Sequence, residues 1–423
     1  MATIQSPRLG EGYQKITHSS GLEVLLCPME GFRSAYALFA TKYGSIDTTF
    51  KTGKDADFVT VPEGIAHFLE HKLFESEDGD AFSRYAKTGA SANAYTSFDR
   101  TAYLFSCTDK FDESIEILLD FVTHPYFTQQ TVEKEQGIIG QEINMYLDDP
   151  EWRVFFNMLA GMYHNNPMRI DIAGTVESIA KIDADLLYRC YNTFYNLRNM
   201  VLVVAGNFEP QVVLDACDRI LKAAPAFEVE SIVPEEPESV FKPLVEQKLP
   251  VALPLFNIGF KHRPMPEGEA FLKSATHDIL MDILIGEASP LYRRLYDQGL
   301  INATFSSGAE YGRGHAYSLF SGESREPEKV HEAIVEEIAR LQKEGFVPED
   351  FESCKKSAYG RFIGMFGGVT AMARMLLSSH FAGKDAYDIL EAVANVTPEE
   401  LQRHLVEEFD PEKCTVSIVR SGE

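Results

Sequence analysis

Two histidines and one glutamate between Pro62 and Ser76 have the residue types and the spacing of a metal site. His67 and His71 are four residues apart, and Glu70 directly precedes His71. The surrounding residues predict a helix, on which side chains four residues apart share a face, about 6 Å apart along the axis. Two imidazoles so placed can hold one zinc ion at about 2.1 Å each, and the carboxylate beside them can take a proton from a water on the metal. This inverted zincin order predicts a zinc-dependent hydrolase with Glu70 as general base.

The simpler explanation of the motif is a helix with two surface histidines and one solvated glutamate. The composition of the segment argues against it, because an imidazole or a carboxylate in an apolar helix needs partners. The apolar residues of the segment are Ile65, Ala66, Phe68, Leu69, Leu73 and Phe74. We therefore expect the three polar side chains to meet partners from elsewhere in the fold.

A third metal ligand must come from another element, because a catalytic zinc ion usually takes three protein ligands and leaves one position open. A helix predicted over 131–147 offers Glu133, Glu135 and Glu142. Glu135 and Glu142 share a face but lie two turns apart, about 10 Å along the axis, so a straight helix cannot bring both to one ion. One would be the ligand and the other would at most support it. The spacing alone does not choose between them.

The elements that position these side chains belong to two halves of the chain with the same order of elements. Each half reads as strand, helices, strand pair, long helices, helix and closing apolar strand. The strand pairs are predicted at 90–97 with 101–107 and at 303–309 with 315–321, and the closing strands at 200–205 and 414–419. This order predicts an α+β fold of two similar repeats, each an antiparallel-rich sheet with helices packed on one face.

The stretch between the two halves differs in composition from the rest of the chain. Residues 226–250 are rich in proline and glutamate, which remove hydrogen-bond donors and resist burial. We predict an extended linker there, between a zinc-bearing repeat at 1–225 and a second repeat without metal at 251–423.

Two further patterns concern helices. Gly367 and Gly368 interrupt a long helix predicted over 349–375 and indicate a kink or a break in it. Trp152, Phe155 and Phe156 have helical spacing and are interpreted as core residues.

The charge and the cysteines limit the partners and the compartment. The 423 residues include 39 Lys and Arg against 64 Asp and Glu, a formal net charge of −25. This charge gives no attraction to phosphates, so neither nucleic acid nor a membrane surface is an expected partner. Six scattered cysteines without a CxxC pair are typical of a reducing compartment, and no apolar run approaches the length of a membrane span. We expect a cytoplasmic protein.

Four segments of the sequence resemble the pitrilysin/insulinase family of zinc peptidases, which includes the mitochondrial processing peptidases. They are GIAHFLEHKLFES at 64–76, GASANAYTSFDRTAYLFS at 89–106, EKEQGIIGQE at 133–142 and MVLVVAGN at 200–207. The resemblance is strong over most of the first half and rests on architecture in the second. It is greatest to the short bacterial YmfH-like branch of the family.

The resemblance implies one zinc ion per chain and assigns roles to the acidic residues of the predicted helix 131–147. Glu142 would complete the ligand set of His67 and His71, and Glu135 would be the supporting carboxylate. Peptide-bond hydrolysis, with Glu70 as base, is the reaction that the resemblance implies.

The resemblance also implies that the strand with Asn93 and Ala94 is an edge strand. A peptide substrate would add to it through backbone hydrogen bonds to these residues. Without the resemblance, an ordinary hairpin strand is the simpler interpretation of this segment.

The sequence departs from the family pattern in the second half. Active members carry an arginine and a tyrosine there, or in a partner subunit, which grip the substrate and its developing oxyanion. The corresponding positions hold Tyr296 and Asn302, and Arg293 and Arg294 lie nearby but out of register. This chain would then supply the zinc half of the site and lack the clamp half.

Family members of this size work as clam-shell dimers, which leaves two arrangements open. One is a heterodimer with a zinc-less paralogue that supplies the arginine and the tyrosine. The other is a homodimer that uses other residues, such as Arg293 or Tyr311. We predict a zinc endopeptidase or oligopeptidase that cleaves unstructured peptides. The alternative is a metal-binding assembly or peptide-binding subunit with little activity of its own.

Overall fold

The computed structural model describes residues 2–77 and 79–422. The strands are, in chain order, β1 (Ala2–Gln5), β2 (Gly12–Thr17), β3 (Glu23–Pro28), β4 (Ala35–Thr41), β5 (Thr49–Thr52), β6 (Val59–Thr60), β7 (Glu75–Ser76), β8 (Gly79–Asp80), β9 (Ser91–Thr96), β10 (Thr101–Cys107), β11 (Met200–Gly206), β12 (Val229–Ser231), β13 (Leu244–Lys248), β14 (Leu255–Lys261), β15 (Ser306–Gly312), β16 (His315–Glu323) and β17 (Cys414–Arg420).

The α-helices are, in chain order, α1 (Ile65–Leu73), α2 (Ala81–Thr88), α3 (Phe111–Thr123), α4 (Gln129–Asp148), α5 (Pro150–Met162), α6 (Val176–Ile179), α7 (Ala184–Phe194), α8 (Pro210–Ile220), α9 (Glu267–Ile285), α10 (Pro290–Asp297), α11 (Pro327–Glu344), α12 (Pro348–Phe366), α13 (Val369–Phe381), α14 (Asp388–Asn395) and α15 (Pro398–Glu408). Most match the helices expected from sequence, whereas α5, α6, α8 and α14 were not assigned from it.

Each half of the chain forms one main sheet, and the two sheets share a topology. The order is β1-β2-β3-β11-β4-β10-β9 in the first sheet and β13-β17-β14-β16-β15 in the second. In the first sheet, β11 pairs in parallel with β3 and antiparallel with β4. In the second sheet, β17 pairs in the same way, in parallel with β13 and antiparallel with β14. Strands β4 and β11 are buried over their whole length, because they carry apolar side chains on both faces. This arrangement confirms the predicted α+β fold of two similar repeats.

The two halves exchange one helix each, which the sequence did not indicate. Helix α5, from the first half, packs on the second sheet against β14 and β17, and α13, from the second half, packs on the first sheet against β4 and β11. The approach of α5 is close enough that a Cβ at Gly259 of β14 would lie 2.5 Å from the Sδ atom of Met158. Each sheet is thus covered by its own helices on one face and by the exchanged helix on the other.

The helix predicted over 349–375 is broken at Gly367 and Gly368, in agreement with the expected kink. The two segments, α12 and α13, meet at an angle of 103°. Within the described ranges, no single helix has the length and apolar composition to cross a membrane, and only this bent pair meets both requirements jointly.

The acidic segment at 226–250 is extended and lies against both halves. Strand β12 pairs with β5 of the first half, and β13 joins the edge of the second sheet by pairing with β17. Between them, the carboxylate of Glu236 accepts hydrogen bonds from the backbone N–H groups of residues 164–166 at 2.7–2.9 Å. It also accepts one from the buried ammonium group of Lys261 at 2.6 Å. A glutamate in a proline-rich stretch therefore fastens this segment to the rest of the molecule.

Replacement of Glu236 by alanine is expected to lower the free energy of unfolding by about 3 kcal/mol, because the buried ammonium of Lys261 loses its carboxylate partner and three backbone donors lose their acceptor. The measurement is guanidinium-induced unfolding followed by circular dichroism. The exposed neighbour Glu235 is the matched control, and Glu235→Ala should change the unfolding free energy by less than about 0.5 kcal/mol. Equal effects of the two substitutions would show that the strands alone hold the segment.

Candidate metal centre

Helix α1 carries the histidine motif and begins at a glycine that the geometry requires. Gly64 precedes the helix with φ +88°, a left-handed conformation that favours glycine. A Cβ at this position would also lie 2.4 Å from the carbonyl oxygen of Ala173. Gly64 therefore lets the helix start in contact with the segment before α6. Most of α1 is buried, in keeping with its apolar composition.

The structure brings His67, His71 and Glu142 together across α1 and α4. The Nε2 atom of His67 lies 3.8 Å from Oε1 of Glu142, and the Nε2 atom of His71 lies 3.5 Å from Oε2 of the same carboxylate. Of all His, Cys, Asp and Glu side chains in the described ranges, these are the only group of three or more whose ligand atoms lie within 4.8 Å of one another. Two imidazoles and one carboxylate from distant segments therefore converge on one point.

Glu135 lies on the other side of His71, which resolves the choice that spacing left open. Its Oε1 atom lies 3.1 Å from Nδ1 of His71. In the neutral imidazole this contact favours the proton on Nδ1 and leaves the lone pair on Nε2, the nitrogen nearer Glu142. Glu142 thus belongs to the converging group and Glu135 bonds to the far side of His71, while Glu133 is exposed and bonds to Gln129.

The protonation of the two histidines differs because their surroundings differ. Burial, together with the charge of His71, lowers the pKa of His67 to about 3, so this imidazole is neutral at pH 7 with a lone pair available. Burial opposes the charged form of His71 as well. However, the hydrogen bond to Glu135 and the charges of Glu142 and Glu70 outweigh it and raise the pKa of His71.

The donor set fits zinc. Two ligands bound at roughly 2.1 Å to a tetrahedral zinc ion lie roughly 3.4 Å apart, close to the 3.5 and 3.8 Å separations of the Glu142 oxygens from the imidazole nitrogens. Two histidines and one carboxylate leave one position open, as in catalytic zinc sites. The site opens onto a cavity of about 270 Å³ lined by residues of α1, α4, β9 and α5.

Glu70 lies beside the metal ligands and is held by a different partner. Its Oε2 atom accepts a hydrogen bond from Oγ1 of Thr96, the last residue of β9, at 2.7 Å. Burial raises the pKa of Glu70, and hydrogen bonds from the hydroxyl and the backbone of Thr96 act in the opposite direction. The carboxylate lines the cavity without joining the converging group, a position suited to moving a proton.

Two aromatic residues adjoin the site: Tyr146, which was not identified from sequence, and Trp152, which was interpreted from sequence as a core residue. The hydroxyl of Tyr146 donates a hydrogen bond to Oε1 of Glu142 at 2.6 Å, and Trp152 stacks on Tyr146 at 4.3 Å between ring centroids. Trp152 lines the cavity, whereas Phe156 from the same cluster lies in the core as expected. The sequence pattern that could have identified Tyr146 is its position four residues after Glu142 on the same helix, which places the two side chains on one face.

Strand β9 is an edge strand, and its pairing with β10 decides which backbone groups are free. The N–H of Ser97 bonds to the carbonyl oxygen of Arg100 at 2.8 Å, and bonded and non-bonded pairs alternate from there along the ladder. The backbone groups of Ala94 and Thr96 therefore face the open edge, and those of Asn93 face β10.

Asn93 and Ala94 thus occupy different places relative to the edge. Ala94 lines the cavity, and the Oδ1 atom of Asn93 accepts a hydrogen bond from the N–H of Ala94 at 2.8 Å. Of Asn93, only the side chain reaches the open edge. There it accepts the hydrogen bond of the Ala94 N–H, a donor that an added strand would use.

The two positions that differ from the family pattern lie away from this cavity. Tyr296 is half exposed on α10, and the amide of Asn302 donates a hydrogen bond to Glu323 at 2.9 Å. The described residues that line the cavity include neither of them, nor Tyr311, which lies against His277.

Comparisons with known proteins match both halves of the chain. Residues 50–176 match the family model described as Insulinase (Peptidase family M16), and residues 181–358 match the model described as Peptidase M16 inactive domain. The putative M16-like peptidase from Alicyclobacillus acidocaldarius, a crystal structure, superimposes with a TM-score of 0.93 at 35% identity and covers 98% of this chain and 100% of its own.

Two relatives extend these matches. The uncharacterized zinc protease YmfH of Bacillus subtilis (strain 168) is 42% identical over 408 residues, which cover 95% of each chain. The beta subunit of the mitochondrial-processing peptidase of Caenorhabditis elegans is 30% identical over 161 residues, which cover 37% of this chain and 35% of the subunit.

Proposed function

The chain belongs to the insulinase family of peptidases, family M16, and from this membership we propose that it is a zinc-dependent peptidase that cleaves unstructured peptides. The observation that carries the proposal is the convergence of His67, His71 and Glu142 beside the carboxylate of Glu70. A purely structural helix would not need imidazoles and a carboxylate from two distant segments at one point.

The proposed reaction assigns one task to each side chain of the site. The Nε2 atoms of His67 and His71 and the carboxylate of Glu142 would hold one zinc ion, which would supply Lewis-acid chemistry at the site. Glu70 takes the proton of the attacking water and passes it to the nitrogen of the leaving amine. Glu135 keeps the proton of His71 on Nδ1, and Tyr146 fixes the orientation of the Glu142 carboxylate.

The proposed substrate is a peptide in extended conformation. The open edge of β9 presents the backbone carbonyl of Ala94 next to the cavity, and its N–H becomes available once the Asn93 side chain gives way, so an added strand would pass the proposed metal ligands. Such pairing needs backbone groups that are not already bonded within a fold, which favours unstructured peptides over folded proteins.

Removal of the metal tests this proposal. We expect about one zinc ion per purified chain, and treatment with 1,10-phenanthroline should reduce cleavage of an unstructured fluorogenic peptide to a few per cent. Stoichiometric zinc should restore the cleavage, because the donor set is held in place by the fold. The isomer 1,7-phenanthroline, which cannot chelate, is the control. Full cleavage by a chain without zinc would contradict the proposal.

A second candidate is supported by Tyr296 and Asn302, which stand where the family pattern has an arginine and a tyrosine. The chain would then be the zinc-bearing subunit of a clam-shell dimer, and a zinc-less paralogue would supply the clamp. It predicts a zinc-loaded chain that cleaves peptides only after the paralogue is added. Cleavage by the isolated chain, lost in Glu70→Gln, would contradict it.

A further inference from the structure

Thr96 lies where the edge strand meets the catalytic helix. It is the last residue of β9, and its hydroxyl donates to Oε2 of Glu70 at 2.7 Å. Among the residues that the structure describes, Thr96 is the only one whose side chain forms a hydrogen bond with this carboxylate. Glu70 belongs to α1 and Thr96 to the sheet, so the contact joins two separate elements.

The direction of this hydrogen bond follows from the two acceptors near the Thr96 hydroxyl. Oγ1 of Thr101 lies 3.4 Å from Oγ1 of Thr96 and itself donates to the carbonyl oxygen of Tyr43 at 2.9 Å, so it can only accept from Thr96. The ionised Glu70 carboxylate is closer, at 2.7 Å, and is the stronger acceptor of the two. The Thr96 hydroxyl therefore donates its proton to Glu70.

The position of Thr96 in the strand explains why the hydroxyl points at α1. Side chains alternate between the two faces of a strand, so Ala92, Ala94 and Thr96 share one face. Ala92 and Ala94 pack against the apolar core that contains α1, and Thr96 is the one polar residue of the three. The backbone groups of Thr96 also face the open edge, so the same residue touches the base and the strand's free side.

We propose that Thr96 is a positioning residue for the general base, an inference that rests on the proposed peptidase function. Its hydroxyl holds one oxygen of the Glu70 carboxylate against β9 and leaves the other oxygen to take the proton of the attacking water. A peptide that adds to the edge of β9 is aligned by the strand that also orients the base. Strand β9 thus fixes the positions of both the base and the scissile bond.

The test separates the hydroxyl from the backbone of Thr96. Thr96→Val keeps the shape and the backbone N–H, which also bonds to Glu70, but removes the hydroxyl donor, so we expect kcat for a fluorogenic peptide to fall about tenfold to a hundredfold. KM should change less than threefold and the zinc content should not change, because the edge and the ligands remain. Thr96→Ser keeps the hydroxyl and should retain kcat within about threefold of the unaltered chain.

Thr193→Val is the matched control, because Thr193 is a buried hydroxyl on α7 that donates to the backbone carbonyl oxygen of Arg189 rather than to Glu70. It should leave kcat unchanged even if α7 becomes less stable. Equal kcat in Thr96→Val and in the unaltered chain, or equal losses in Thr96→Val and Thr96→Ser, would overturn the inference.

Crystal structures of the unaltered chain and Thr96→Val provide a readout that does not depend on activity. The Glu70 carboxylate should keep its place in the first and rotate away from β9 in the second. An unmoved carboxylate in Thr96→Val would overturn the positioning role, whereas an unaltered chain that holds zinc but cleaves no peptide would count against the peptidase function alone.

Discussion

Replacement of His67 by alanine is expected to remove the zinc ion and with it all measurable peptide cleavage. His67 supplies one of three ligands, and the two that remain, His71 and Glu142, cannot complete a tetrahedral site. The loss of zinc should be severe, because burial keeps the His67 imidazole neutral at pH 7 with a lone pair available for the metal. Zinc per chain, measured by plasma mass spectrometry, should fall from about one to below about 0.1.

His124→Ala is the control for this substitution, because His124 is an exposed histidine bonded to Asp120 at the end of α3. It should keep one zinc ion and full cleavage. Far-ultraviolet circular dichroism should show the same secondary structure in both variants. A His67→Ala chain that still holds one tightly bound zinc ion would place the metal elsewhere and refute the assignment of the centre.

Replacement of Glu70 by glutamine is expected to separate metal binding from chemistry. The amide has almost the shape of the carboxylate and can still accept the hydrogen bond from Thr96, but it cannot take a proton from water. Loss of a general base typically costs two to four orders of magnitude in rate, so we expect kcat to fall about 10³-fold. The zinc content should remain at about one per chain, because Glu70 lies outside the ligand group.

The matched control is Glu133→Gln, which makes the same change at an exposed glutamate on α4. It should keep both zinc and cleavage. If Glu70→Gln lost its zinc, Glu70 would be part of the metal site. If its cleavage stayed within tenfold, another group would be the base. Together with His67→Ala, this variant distinguishes a chain that cannot bind metal from one that cannot move a proton.

The family, the fold class and the two histidines of the converging group could be predicted from sequence because they depend on local patterns. The spacing of His67 and His71 places two imidazoles on one face of any helix that contains them. The order of strands and helices in the two halves was enough to predict the α+β repeats. The pair Gly367 and Gly368 was enough to predict the break between α12 and α13.

Other features were not predictable, because they depend on how distant segments pack. The exchange of α5 and α13 between the halves depends on which apolar faces meet, and neither helix differs in pattern from one that stays in its own half. The fastening of the acidic segment by Glu236 was also hidden, because a proline- and glutamate-rich stretch has the composition of a free linker.

The amino-acid sequence by itself determined that this protein has one helix able to offer two imidazoles and a carboxylate, because covalent geometry and the helical repeat place them. Only the tertiary structure decided that Glu142 rather than Glu135 lies near the Nε2 atoms of both imidazoles, that Thr96 holds Glu70, and that Asn93 turns its backbone away from the open edge. The physical reason is that each of these contacts joins residues of different elements. Its distance is therefore fixed by the packing of helices on sheets rather than by the spacing of residues along the chain.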